Sequence, residues 1–281
     1  MAKILVALDD DSSFAKDLIA TSKALYTQWN KNLYVGLLVK DLSYNVNLST
    51  YVEKSVMADY NPSAEDELLS EEDQHKAEVL GNFINDIKPS GLNYEIYNDF
   101  KLSTHEVFKQ TTYADLLVLS YHIFFQKNNR FDNSLLYQIL KGSRCPVLII
   151  PKGMRTIDNI IFAYDGKEPS VFALKSFSSL FSDAVKDKVV SILTVTPSLE
   201  EEIKNEKFLL DLAKHYYNNV GVQLMEGSNI STEIMAFADT VENPLVIMGA
   251  YGRSSVSNLI IPSVARGIIE ERRLPLFIAH R

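Results

Sequence analysis

The sequence predicts an α/β protein built from two tandem units, each an open five-stranded parallel sheet with helices on both faces. Three observations carry that expectation. The chain has 281 residues, and at roughly 100 to 200 residues per domain this length suits two domains rather than one. Short β-branched apolar runs alternate with helical stretches, the pattern of strands buried on both sides by crossover helices. Above all, the chain repeats itself.

The first strand, Ile4-Leu-Val-Ala-Leu-Asp9, returns as Ile160-Ile-Phe-Ala-Tyr-Asp165, a spacing of 156 residues (4 to 160). A helix follows in each copy, Ser13 to Trp29 and Ser170 to Phe181, where serine and aspartate precede the apolar periodicity as caps do. The second strand, Leu33 to Val39, returns as Val189 to Val195 at the same spacing. Next come a longer helix (Glu71 to Lys88; Leu199 to Asn218), a third strand (Tyr94 to Phe100; Val222 to Gly227) and a third helix (Thr104 to Thr112; Ser231 to Thr240). The fourth strand, Asp115 to Ser120, matches Pro244 to Gly249, and after a fourth helix the fifth, Cys145 to Ile150, matches Leu274 to Ala279. Both pairs are spaced by 129 residues (115 to 244). The shorter spacing implies an insertion of about 27 residues in the first copy only, within Leu42 to Leu69. Two Rossmann-like domains follow, residues 1–151 and 157–281, joined near Pro151 to Thr156. Each fifth strand leaves an edge to be covered, so the two final strands are expected to lie together.

Composition narrows the function. With 46% hydrophobic and 23% charged residues the chain reads as globular. A net charge of -8 argues against nucleic acid as a partner. No apolar stretch approaches the ~18 residues that a membrane-spanning helix needs, and the N-terminus lacks a signal-peptide pattern. The single Cys145 excludes an intrachain disulfide and fits a buried core thiol. A cytoplasmic location is the expectation. The insertion carries Asp59, Glu65, Asp66 and Glu67 against Lys54, which suits a solvated acidic excursion or a partner-docking arm.

Ligands of open parallel sheets bind outside the carboxyl ends of the strands, where strand order reverses. Neither G-x-G-x-x-G nor a P-loop is present, which removes the dehydrogenase and P-loop NTPase readings. The turn after the first strand is acidic instead, with Asp9, Asp10 and Asp11 in one copy and Asp165 in the other. A carboxylate there can accept hydrogen bonds from a ribose or an adenine amino group, or it can cap the helix. After the fourth strand of the second copy comes Gly249-Ala-Tyr-Gly252-Arg253-Ser-Ser255, and later Pro262-Ser263, read as a helix start. Glycines, hydroxyls and a helix N-terminus all suit an oxyanion.

This loop resembles the G-x2-G-x9-G-[ST] nucleotide signature of the universal stress protein family. Gly249, Gly252 and Ser263 match, while Pro262 stands where a third glycine is expected. The resemblance extends over nearly the whole chain as two tandem copies. It implies a five-stranded parallel sheet, adenine nucleotide (ATP or AMP, with Mg2+) in some members, and pairing of domains through their last strands, within the chain or in a homodimer. It implies no defined reaction. Carried over, the nucleotide contacts are Asp165, Val195 as a backbone partner for adenine, Gly249, Gly252 and Ser263. Arg253 is added as a phosphate counter-charge; Tyr164 and Tyr251 can stack on a base, although with 14 tyrosines in the chain most are packing residues. In the first copy the corresponding residues are Ser120, Ile123, Asn133 and Ser134, and Phe124 and Phe125 crowd the loop, so no nucleotide is expected there.

Other chemistries find no anchor. The five histidines, His75, His105, His122, His215 and His280, lack metal-ligand spacing, and no nucleophile elbow is present. ATP hydrolysis ranks last because no base is positioned for water. The leading reading is a stress-response protein regulated by nucleotide in its second half. Its rival is an interaction scaffold that binds no cofactor, favoured by the N–H that Pro262 lacks.

Overall fold

The computed structural model describes residues 3–8, 14–25, 36–39, 78, 81–90, 104–125, 129–154, 156–250 and 257–279. The first half contributes β1 (Ile4–Leu8), α1 (Phe14–Leu25), β2 (Gly36–Val39), α2 (Thr104–Thr111), β3 (Leu116–Ser120), α3 (Asn133–Gly142) and β4 (Val147–Ile150). The second contributes β5 (Asn159–Ala163), α4 (Glu168–Val185), β6 (Val189–Thr196), α5 (Glu206–Tyr216), β7 (Asn219–Glu226), α6 (Ile230–Ala238), β8 (Pro244–Gly249), α7 (Ser257–Glu270) and β9 (Leu276–Ala279). The insertion at 42–69 and the expected strand at 94–100 lie outside the described residues.

The nine strands among the described residues form one sheet, in the order β2-β1-β3-β4-β9-β8-β5-β6-β7. Every pairing is parallel except one. At the centre β4 and β9, the last strands of the two repeats, run antiparallel with Val147 opposite Ile278, Leu148 opposite Phe277 and Ile149 opposite Leu276. The α/β, Rossmann-like class is therefore as the sequence predicts. The antiparallel seam is what an approximate two-fold relation between repeats produces.

Strand alternation sends successive side chains to opposite faces, and each face has its own core. On one, Val6, Leu148, Phe162, Ile247 and Phe277 pack with Leu18 of α1, Phe177 of α4 and Leu209 of α5. On the other, Leu119, Ile149, Ile161, Met248 and Ile278 pack with Ile139 of α3, Ile234 of α6 and Ile268 of α7. Both cores run through both halves without a break. The connection at residues 151–156 is fastened as well. The Gly153 N–H donates to Asp17 Oδ1 of α1 at 2.9 Å, and the Thr21 hydroxyl lies 3.2 Å from Met154 Sδ. Gly153 has φ +77, a left-handed turn that favours glycine.

Several boundaries differ from expectation, among them three near the candidate site. The helix expected from Leu199 begins at Glu206, because Asn205 adopts the left-handed conformation and the Tyr164 hydroxyl holds the Lys204 carbonyl at 2.8 Å. The strand expected from Val222 begins three residues earlier, at Asn219, directly after the segment expected to be helical. The helix expected to start at Pro262 instead starts at Ser257. Pro262 and Ser263 thus stand in its second turn. There proline removes one intrahelical bond, to the carbonyl four residues earlier, rather than sitting harmlessly in the first turn.

Candidate functional site

In the second half the order of strands reverses between β5 and β8, and the residues singled out by the sequence sit at that edge. Ala163 is in register with Leu193 of β6 on one side and Met248 of β8 on the other. Asp165 comes two residues after Ala163, Val195 two after Leu193, and Gly249 one after Met248. The topology therefore brings Asp165, Val195 and Gly249 together at the carboxyl ends of three adjacent strands. Gly252 and Arg253 lie outside the described residues, as does Tyr251. Ser263 is placed only as a backbone position in α7.

Asp165 is exposed, and its carboxylate closes the turn into α4. Oδ1 accepts from the Lys167 N–H at 3.1 Å, and Oδ2 lies 3.4 Å from the Lys167 ammonium. These contacts lie within the turn and do not cap the helix, whose N-cap residue Lys167 has no side-chain cap hydrogen bond, and an exposed ion pair of this kind contributes little stability. Ser170, buried in the first turn of α4, donates to the Lys167 carbonyl at 2.7 Å. Gly166 has φ +78, and a Cβ there would lie 3.0 Å from the Lys204 side chain. The segment leading into α5 therefore closes over the turn that carries Asp165.

Val195 occupies a position that suits backbone recognition. Pairing of β6 with β5 ends at Leu193, whereas pairing with β7 runs on to Thr196 opposite Glu226. The β5-facing edge of Val195 thus extends past the last β5 partner. One residue earlier, the Thr194 hydroxyl is buried with no hydrogen-bond partner among the described residues.

Gly249 is explained by packing. A Cβ on it would collide with the Pro169 carbonyl group and the Ser170 nitrogen, so β8 can end against α4 only as glycine. Ala250 continues the chain with its N–H donating to the Ala279 carbonyl at 2.7 Å. Tyr164 takes the packing role rather than the stacking one. Its ring is 5% exposed and packs on Phe162 at 5.9 Å between centroids, so it belongs to the core and is not offered to a base. Burial raises its pKa, and its hydroxyl is spent on Lys204. Sequence reasoning missed Thr194 and Lys204, because nothing in their local spacing signals contact with the turn after β5.

In the first half, the loop after β3 is occupied by its own side chains. Ser120 accepts from the His122 N–H at 3.0 Å and starts a 3-10 helix, Tyr121–Phe124, in which Tyr121, Ile123 and Phe124 are buried. The start of α3 is capped by Asp132, whose carboxylate accepts from the Leu135 N–H at 2.9 Å. Ser134 instead accepts from the Gln138 amide at 3.0 Å. Cys145 is buried beside Ser143, and burial pushes its thiol up to about 12, consistent with an inert core residue. Among the described residues there is no cluster of metal-ligating side chains and no helix long and apolar enough to cross a membrane.

No family model matches the sequence. The chain is 26% identical over 145 residues to Universal stress protein Slr1230 of Synechocystis, a match covering 50% of this chain and 48% of that protein. It thus spans about half the length of the curated relative it matches. A universal stress protein from Archaeoglobus fulgidus superposes on 100% of this chain and 96% of its own with a TM-score of 0.67 at 17% identity. A putative universal stress protein from Pseudomonas aeruginosa does so with a TM-score of 0.57 at 14% identity, covering 100% and 93%. The structural likeness shows the fold, and the two kinds of comparison together support the universal stress protein family.

Proposed function

We propose that this chain is a tandem universal stress protein that acts in the stress response and takes adenine nucleotide, ATP or AMP with Mg2+, in its second half only. The observation that carries this reading is the convergence of Asp165, Val195 and Gly249 at the reversal of strand order, where open α/β sheets receive ligands. A ribose hydroxyl would displace the Lys167 ammonium from Asp165, which costs little at an exposed site. Adenine would hydrogen-bond the backbone edge of Val195 beyond its last β5 partner. Gly252, Arg253 and Ser263 would serve the phosphates. A scaffold that binds no nucleotide is the competing reading, favoured by Gly249, whose lack of a side chain packing alone explains.

Pro262 sharpens the test. At a helix start, its missing N–H would be a lost phosphate donor, worth about 1.5 to 3 kcal/mol as a hydrogen bond to a charged group. In the second turn of α7 that N–H would point into the helix. Pro262→Ala is therefore expected to raise the thermal midpoint by restoring an intrahelical bond and to leave nucleotide affinity unchanged. Pro262→Gly should likewise leave affinity unchanged, with a smaller gain in stability. Titration calorimetry and thermal melts on the three proteins check this. An affinity gain of roughly ten- to a hundredfold in both variants would return residue 262 to the phosphates, and no binding in any of them would favour the scaffold.

A further inference from the structure

In the first half, the loop at the repeat position of the candidate phosphate loop reaches across to the second half. Tyr121 is buried at 2% exposure and its hydroxyl donates to the Leu274 carbonyl, just before β9. Phe125 and Phe131 form an antiparallel bridge with their rings edge to face at 5.4 Å, and Phe131 also stacks with Phe124 at 6.2 Å. Two arginines of the second half cover these rings. The Arg272 guanidinium lies 3.4 Å from the Phe125 centroid, and that of Arg266 lies 5.6 Å from Phe131. Arg272 also donates to Asn129 Oδ1 at 2.5 Å.

The backbone at Arg272 shows that this contact is specified. Its φ is +54, a left-handed conformation that favours glycine and strains a residue with a Cβ. The fold does not demand it at this place. The repeat counterpart, Ser143, ends α3 in an extended conformation with φ -60 and ψ 140. The left-handed turn that ends α7 instead sets the Arg272 side chain on both a ring and an amide.

We infer that the loop after β3 has become a lock between the halves, keyed by Arg272, that holds β9 against β4. A phosphate site and this lock exclude one another in the first half. Phe124 and Phe125 stand where small residues would have to admit an anion, and the same rings receive the two arginines. The second half supplies the guanidinium groups from α7 and the turn after it, so the lock joins the first half to the helix that carries Ser263.

Arg272→Gly in the full chain separates this role from a local one. Glycine relieves the left-handed backbone, so a side chain without a role predicts a higher thermal midpoint and unchanged amide exchange in the seam. The lock predicts a lower midpoint and about tenfold faster exchange at Leu148 and Phe277. Arg272→Lys keeps the charge and the strain but loses planar stacking and the fork of donors, and is expected to fall between wild type and glycine. If the glycine variant does not fold, a cycle of Arg272→Lys with Phe125→Leu decides. Non-additive midpoints support the lock, whereas additive ones overturn it, as does an unchanged or raised midpoint in Arg272→Gly.

Discussion

Phe277→Ala is expected to destabilise the protein by about 3 to 5 kcal/mol, the range for emptying a fully buried phenylalanine. Phe277 is in the central strand pair, in register with Leu148 of the other half. Its ring meets Phe177 of α4 edge to face at 5.1 Å and Phe181 at 6.2 Å. All three rings are buried, so truncation leaves a cavity in the core. The loss would fall on both halves together, because one core on this face runs from Ile4 to Phe277. Urea unfolding should therefore show a lower midpoint in a single transition. Two transitions, with the first half unmoved, would mean that the seam does not couple the repeats.

Gly249→Val is expected to cost about 3 kcal/mol, at the upper end of overpacking penalties, because its Cβ would meet the backbone of Pro169 and Ser170 rather than a movable side chain. Backbone in the first turn of a helix can yield only by shifting α4, and α4 carries Phe177 and Phe181 in the core. Gly221→Val in β7 is the matched control. Nothing lies within 4 Å of a Cβ there, and valine suits a strand. Equal midpoints for the two variants would show that Gly249 is not needed for the close approach of β8 to α4.

Most of the architecture was legible because the chain repeats. Matching Ile4 to Ile160 and Cys145 to Leu274 placed the first and last strands of each half, and the need to cover an edge placed β4 beside β9. Two of the misses come from contacts far apart in sequence, those at α5 and at Arg272. Leu199 to Ile203 reads as helix by composition, yet Tyr164 holds Lys204 and Asn205 turns left-handed, so α5 waits until Glu206. Pro262 reads as a helix start by its own preference, yet α7 begins five residues earlier and carries the proline within it. At the candidate site, Asp165 was legible from its place after a strand and Val195 only through the family resemblance, whereas the glycine at 249 had two explanations that only the position of Pro169 distinguishes. Arg272 gave no signal, because its partners Phe125 and Asn129 belong to the other half.

We propose one adenine nucleotide site per chain, in the second half. Equilibrium titration of the full chain with ATP and Mg2+ tests it most directly, on wild type beside Gly252→Val and Ser134→Ala. One site is expected in wild type, with its loss in Gly252→Val and no change in Ser134→Ala. Two sites per chain, none, or a site that survives Gly252→Val would contradict it.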